Sequence, residues 1–412
     1  MIIADEPAAT GTAGADGSPL TVFVIAGEPS GDQLGGPLMA EIAARSPRPV
    51  RFLGVGGPAM TAEGLASLFP MSDIALMGLD EIVRRLPFLL RRIRETADAV
   101  VATRPDVLVI VDAPDFTHRV AKAVRRRAPQ IPIVDYVSPT VWAWRPGRAR
   151  AMAGYVDLLL ALLPFEPEAH RRLGGPPCIY VGHPAIERLA SVKAARAARA
   201  PGGAPPTLLV LPGSRRQEID RLLAPFGEAF DRLRREVPGL RAILPAVDHL
   251  ADEIETRVAR WPVRPEVVRG QDAKAAAFVA ADAAIAASGT VTLELAVAGV
   301  PMAVAYRLDR FFRLVKHLNR VVPIVRVKSM VLANLVIGEN VIPEFLDEQV
   351  TPEALARAVG PLLIGGPERE RQLAALSDLD RRMAIPRGEP ASAVAADAVL
   401  RLLDRTGAAA RL

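Results

Sequence analysis

The sequence predicts an α/β protein with two doubly wound domains, and three observations carry that prediction. Strand-like apolar runs alternate with helical stretches, and this alternation occurs twice along the chain. The runs are continuously apolar, without the polar alternation of half-exposed strands, so both faces of each sheet are covered, as in parallel sheets with helices on either side. A stretch of small and turn-forming residues near position 200 separates the two sets. The length of 412 residues agrees, because it exceeds what one ordinary core fills.

In chain order, the first set reads as strand "TVFVIAG", a helix from Gln33 to Ala44, strand "VRFLGVGG" and a helical stretch through Arg94. Strand "DVLVIVDAP", a helix from Arg119 to Arg127, and strands "IPIVDYVSP" and "VDLLLALLP" complete it. "KAARAARAPGGAPP", Lys193 to Pro206, adds little to any core and reads as a linker. The second set follows with "TLLVLPGSR", a helix from Ile219 to Glu236, "LRAILPAV", "VRPEVVRG", a helix from Ala273 to Ala281, "AAIAASGT" and "PMAVAYRL". The expected divisions are a floppy tail at 1–20, a first domain at 21–192, the linker at 193–206, a second domain at 207–350, and helices at 351–412. Those last helices are long enough to pack back across the first domain.

Composition narrows the class. The chain is 50% hydrophobic and 24% charged, which is globular usage. Its first twenty residues lack the basic start and apolar run of a secretory signal. No stretch of roughly 18 uncharged apolar residues suggests a membrane span. One cysteine, Cys178, and five scattered histidines offer neither a disulfide nor metal-ligand spacing, so a reducing cytoplasm and no structural metal are expected. A net charge of +5 says little about binding a polyanion, and no nucleic-acid partner is expected. The arginines are unevenly spread, however. "EIVRRLPFLLRRIRETADAV" alternates apolar and arginine pairs around Pro87, which suits a basic amphipathic surface or a buried interdomain helix.

Four turns carry candidate chemistry. In "AGEPSGDQLGG" the glycines Gly27, Gly31, Gly35 and Gly36 permit a tight turn at a strand's C-terminal end, where open α/β sheets place ligands. Glu28 and Asp32 would repel a phosphate there; carboxylates suit sugar hydroxyls or a proton to be removed. The same acids also suit a helix N-terminus. "VIVDAPDFTHR" places Asp112 and Asp115 around Pro114, as a candidate base or as ordinary turn chemistry. "VLPGSRRQEID" gathers Ser214, Arg215 and Arg216 at a helix start, which fits a diphosphate site or a plain serine cap. "AAIAASGTVTLELAVAGVP" gives a second such turn, Ser288-Gly289-Thr290, with Glu294 one turn on, able to accept from a ribose diol or to face solvent. Trp142, Trp144 and Arg145 of "SPTVWAWRPGRAR" fit either packing or a sugar and phosphate contact, and His118 and His183 are candidate acid–base groups.

Taken together, "AGEPSGDQLG", "DAPDF", "SPTVWAW", "PFE", "VGHP", "LPGSRRQE", "ASGTVTLELAVAGVPMAVAY" and "LANLVIGENVIPEFL" resemble, in order, the lipid-A-disaccharide synthases. The resemblance runs from Thr21 to about Leu346. It implies two Rossmann-like domains facing a cleft, the glycosyltransferase B type, with no metal or organic cofactor. It also implies transfer of 2,3-diacylglucosamine from its UDP derivative to 2,3-diacylglucosamine 1-phosphate, lipid X, giving a β-1,6 disaccharide and UDP. By the same resemblance Asp112 is the general base, while Glu28, Ser30, Gly31 and Asp32 line the acceptor side. Ser214 and Arg215 meet the diphosphate, Ser288, Gly289 and Thr290 support it, Glu294 holds the ribose, and Asn334 lies at the nucleotide side. Acylated substrates give the basic segment a purpose. Leu65, Leu68, Met77, Leu79, Leu86, Phe88 and Leu89 beside Arg84, Arg85, Arg91 and Arg92 would dock the enzyme peripherally on the anionic cytoplasmic face of the inner membrane. "PEFLDEQ" departs from the family's usual Pro-Glu-Leu-Leu-Gln after Glu344. Homo-oligomerisation is left open, as are two rival readings: a UDP-sugar epimerase of the same fold and a non-catalytic peripheral UDP-sugar binder.

Overall fold

A computed structural model describes residues 18–74, 86–199, 205–307, 329–385 and 388–409. The chain divides into two compact units, Met1–Asp135 with Ala396–Leu412, and Tyr136–Ala395. Of the sequence expectations, residues 1–17 of the tail, residues 200–204 of the linker, and Met77, Leu79, Arg84 and Arg85 lie outside the described residues.

The first sheet comprises β1 (Leu20–Ala26), β2 (Val50–Val55), β3 (Ala66–Ser67), β4 (Val107–Val111), β5 (Ile133–Tyr136), β6 (Leu158–Ala161) and β7 (Cys178–Tyr180), in the order β3-β2-β1-β4-β5-β6-β7. The second comprises β8 (Thr207–Leu211), β9 (Arg241–Ala246), β10 (Glu266–Arg269), β11 (Ala283–Ala287), β12 (Met302–Tyr306) and β13 (Glu344–Leu346), in the order β10-β9-β8-β11-β12-β13. Every pair in the second sheet is parallel. Each order reverses direction beside its first strand, between β1 and β4 and between β8 and β11. In open α/β sheets that reversal opens a crevice at the strands' carboxyl ends.

The apolar runs form strands because both their faces are buried. All five residues of β4, of β8 and of β11 are buried. The pleat divides β8 between two cores. Leu208 and Val210 pack with Phe226 and Phe230 of the helix Arg216–Glu236, while Leu209 and Leu211 pack with Phe278 and Leu293 on the other face. Helices begin earlier than the polar patterning suggests. Pro29–Arg45 and Pro114–Arg127 start on prolines, which lose nothing in a first turn where the N–H has no helical partner. The linker reading is modified at its front. Ala190–Ala197 is helical, with Val192 buried, and alanine and arginine are strong helix formers. The C-terminal helix Ala391–Ala409 belongs to the first unit from Ala396 onward, and there Asp397 Oδ1 accepts from Arg45 Nη1 at 3.0 Å.

Candidate active site

In the first unit, the turns after β1 and β4 meet at the reversal point. Gly27 is required there, since a Cβ on it would lie 2.5 Å from the Ala113 Cβ. Asp112 and Ala113 both adopt left-handed backbone, with φ of 54° and 46°. That conformation is costly for residues with a side chain and tends to mark functional turns. It leaves Asp112 half-buried, with Oδ1 accepting from the Ala113 N–H at 2.8 Å and Oδ2 from the Ser30 hydroxyl at 2.9 Å. Thr117 Oγ1 donates to the Asp112 carbonyl at 2.8 Å. One lone pair on each carboxylate oxygen remains for a substrate. Glu28 and Ser30 are exposed beside it, whereas Gly31 is buried against the Val111 carbonyl.

Asp32 behaves differently from the acceptor-lining residue expected of it. It is buried, and its oxygens accept from the N–H groups of Gly57, Ala59 and Met60 at 2.8, 2.9 and 3.1 Å. It therefore caps the short helix Pro58–Ala62 across the sheet edge, and its carboxylate braces the neighbouring loop. Asp115 is exposed on the first helical turn after Asp112. Behind Asp112, buried His118 Nε2 stands 3.1 Å from Oδ2 of buried Asp135 on β5. Burial pushes the Asp135 carboxyl up, opposed by His118 and reinforced by the Asp112 charge.

The second unit holds a cavity of about 680 Å³ between the turns after β8 and β11. Ser214, Arg215, Lys274, Ser288, Thr290 and Glu294 are among its lining. That volume is in the range of small-molecule sites. The helix start after β8 is not the open anion cradle suggested by the Pro-Gly-Ser turn. Glu218 folds back, and its Oε2 accepts from the Ser214 and Arg215 N–H groups at 2.9 and 3.2 Å. What remains for a ligand is the Ser214 hydroxyl and the Arg215 guanidinium, an exposed group with a long 3.3 Å contact to Glu218. Arg216 points to Glu253 at 2.7 Å.

Ser288 is half-buried, Gly289 and Thr290 are exposed, and the Ser288 hydroxyl donates to the Met330 carbonyl at 3.3 Å. Glu294 is buried rather than solvent-facing, and it is paired with Lys274 and Arg188. Asn334 has no donor or acceptor left over for a ligand. It is 1% exposed and saturated, donating to the Ile342 carbonyl and to Glu344 at 2.9 Å each and accepting from the Val341 and Ile342 N–H groups. Glu344 in turn accepts from the Ser329 hydroxyl and the Met330 N–H, so Asn334 acts by fixing the segment that Ser288 touches.

The aromatic motif after β5 is chiefly structural. Trp142 donates to Glu166 Oε1 at 3.2 Å and packs edge-on against Phe165 at 5.2 Å, while Arg145 stacks 4.1 Å from the Trp144 ring. Burial lifts Glu166 to about 7, against hydrogen bonds from Leu163, Trp142, Ser138 and Leu162. Burial, with the Arg188 charge, also pushes His183 down to about 4, and its Nδ1 accepts from the Ala185 N–H at 3.1 Å, so it sits neutral in its turn. In the docking segment, Leu86 and Leu90 are 42% and 39% exposed at the start of the helix Leu86–Thr103. Phe88 and Leu89 are half-buried and Arg91 is exposed. Two members leave the docking set. Leu65 is buried, and Arg92 is bound to Asp73 and Glu95 and stacked on Phe69 and Phe88.

Lys274, Arg188 and the cavity-lining stretches Val247–His249 and Gly270–Gln271 were not read from the sequence. The last two follow β9 and β10, so the carboxyl-end rule applied to every strand of the second sheet would have marked them. No group of three or more potential metal ligands occurs among the described residues, and no helix among them is long and apolar enough to cross a membrane.

Two parallel sheets of this order, each with polar turns at its reversal point, define a protein of the glycosyltransferase B fold. A glycosyltransferase of kitacinnamycin superposes with a TM-score of 0.59 at 19% identity, covering 94% of this chain and 100% of that one. A UDP-GlcNAc 2-epimerase from Neisseria meningitidis bound to UDP-GlcNAc gives 0.57 at 11%, covering 93% and 99%. The family described as lipid-A-disaccharide synthetase matches residues 22–386. The lipid-A-disaccharide synthase of Nitrobacter hamburgensis is 54% identical over 92% of this chain and 94% of its own, and that of Rhodospirillum centenum is 44% identical over 94% and 96%. The chain belongs to the lipid-A-disaccharide synthetase family.

Proposed function

We propose that the protein transfers 2,3-diacylglucosamine from UDP-2,3-diacylglucosamine to the 6-hydroxyl of 2,3-diacylglucosamine 1-phosphate, releasing UDP. The observation that carries this reading is 54% identity to a lipid-A-disaccharide synthase along nearly the whole chain. The half-buried Asp112 carboxylate agrees with it. Asp112 accepts the hydroxyl proton as that oxygen attacks the anomeric carbon. The new C–O bond forms as the bond to the diphosphate breaks, and the electron pair leaves with UDP. Ser30 and the Ala113 N–H hold the carboxylate in place meanwhile. The Arg215 guanidinium and the hydroxyls of Ser214, Ser288 and Thr290 offset charge building on the departing diphosphate. Single displacement inverts the anomeric centre, giving the β linkage.

The test is incubation of purified protein with both lipid substrates, followed by mass spectrometry. Equimolar UDP and disaccharide are expected. UDP without disaccharide, or an epimerised UDP-sugar, would overturn the assignment.

Peripheral binding at the cytoplasmic face of the inner membrane belongs to the same proposal. Exposed Leu86 and Leu90 beside the exposed Arg91 and Arg94 support it, since acylated substrates reside in a lipid surface. Flotation with anionic vesicles at low salt should carry the protein upward, and failure to float would remove this part alone.

A further inference from the structure

The carboxylate of Glu294 is held at both oxygens. Nη2 of Arg188 donates to Oε1, and Nζ of Lys274 donates to Oε2 at 2.6 Å. The three side chains come from three helices, Ala185–Arg188, Gln271–Ala280 and Thr290–Val297. Lys274 is further fixed by lying 5.5 Å from the Phe278 ring centroid. Glu294 itself is only 8% exposed, yet it lines the cavity together with Lys274. A glutamate side chain left loose would have to be ordered by its ligand, and that ordering costs affinity.

Two cations, one per oxygen, remove that cost and offset the charge of a nearly buried carboxylate. Each oxygen keeps one lone pair. With Oε2 on the partly buried Lys274 and Oε1 on the exposed Arg188, the carboxylate still offers one lone pair per oxygen, which matches the two donors of a vicinal diol. We infer that Lys274 and Arg188 are positioning residues that hold Glu294 in the orientation that accepts both ribose hydroxyls, so that the cavity selects ribonucleotides over 2′-deoxyribonucleotides. This rests on the reading of the cavity as the UDP site. It adds to that site a specificity device drawn partly from Arg188 in the "VGHPAIER" stretch, well before the second sheet begins.

The experiment is calorimetric titration of the full chain with UDP and with 2′-deoxy-UDP, for wild type, Lys274→Met, Arg188→Met and Lys274→Arg. A hydrogen bond to a charged group leads us to expect a wild-type preference for UDP of about tenfold or more. Each methionine variant should reduce that preference to about threefold or less while its affinity for 2′-deoxy-UDP stays within about threefold of wild type. Lys274→Arg should keep most of the preference, and melting curves should match wild type. Variants that retain the wild-type ratio overturn the inference. They would do so if nothing changes, and equally if both nucleotides weaken alike, which would make Lys274 a phosphate ligand. Equal wild-type affinity for the two nucleotides would overturn it by removing Glu294 from the ribose. A wild-type protein that binds neither nucleotide would instead overturn the UDP reading itself.

Discussion

The turn after β1 and the turn after β8 stand at corresponding points of two sheets that share the order of their first six strands, and their carboxylates behave in opposite ways. After β8, Glu218 folds onto its own helix start and occupies the N–H groups an anion would otherwise use, leaving side chains to meet a ligand. After β1, Asp32 turns away from its helix and caps another, so the carboxylate held ready at that end is Asp112 of the adjacent strand, with Glu28 exposed beside it. Topology fixes where a site lies. The chemistry there depends on which carboxylate oxygens keep lone pairs once the protein's own donors are counted. Asp112 and Glu294 keep them, Asp32 and Glu218 largely do not.

The largest expected effect tests that count directly. Asp112→Asn keeps the shape and the Ser30 contact but cannot take a proton, so turnover should fall by about 10²–10⁴-fold with the UDP dissociation constant unchanged. Near-normal turnover in the purified variant would move the base elsewhere. Next comes Asp32→Ala, which strips the acceptor from three backbone N–H groups and should cost about 3 kcal/mol of stability, read as a lowered melting transition. An unaltered melt with weakened acceptor binding would return Asp32 to the ligand and erase the contrast between the two turns.

The strands that define the fold were legible because burial on both faces leaves a continuous apolar run, as in β4, β8 and β11. β3, with two residues, and β7 and β13, with three each, were not, because so short a segment at a sheet edge carries no period. Helix starts lie four and five residues before the polar patterning where a proline opens the helix. The turns that carry Asp112, Arg215 and Ser288 were legible because glycine, proline and polar residues cluster at strand ends. Their partners were not. Arg188 meets Glu294 across 106 positions, and no local pattern in the sequence records such a pairing. Asp32 shows the converse limit. Its motif marked it as polar and near a site, but only the fold reveals that three N–H groups already occupy it.

A third test concerns the start of the helix Glu166–Leu173, which follows β6. Burial raises Glu166 to about 7 in the folded protein from an ordinary 4.5, so folding takes up a proton between those values. The contribution of Glu166 to stability is therefore fully present below about 4.5 and is lost as pH rises through about 7. His170, pushed by burial down to about 4, has the opposite slope between about 4 and 6.5, so raw curves mix the two. Comparison with Glu166→Gln isolates the first. The variant should gain on wild type by on the order of 2 kcal/mol between pH 5 and pH 8. A pH-independent difference would mean that Glu166 is ionised throughout and that its contacts with Trp142 and Leu163 outweigh its burial.

The smallest effect expected is at Arg215. Its guanidinium is exposed and its contact with Glu218 is a long 3.3 Å, so solvent screens the pair and its loss should hardly move the melting transition. A diphosphate presents more charge and a better hydrogen-bonding geometry than that single carboxylate contact. Arg215→Met should therefore weaken UDP by about tenfold while leaving uridine, which lacks phosphate, unaffected. Raising ionic strength should weaken UDP binding more in wild type than in the variant, because screening acts on the charge the variant has lost. Equal salt dependence in both proteins would mean that the Arg215 guanidinium does not meet the diphosphate, and the exposed cation that sets the turn after β8 apart from the turn after β1 would play no part in holding the ligand.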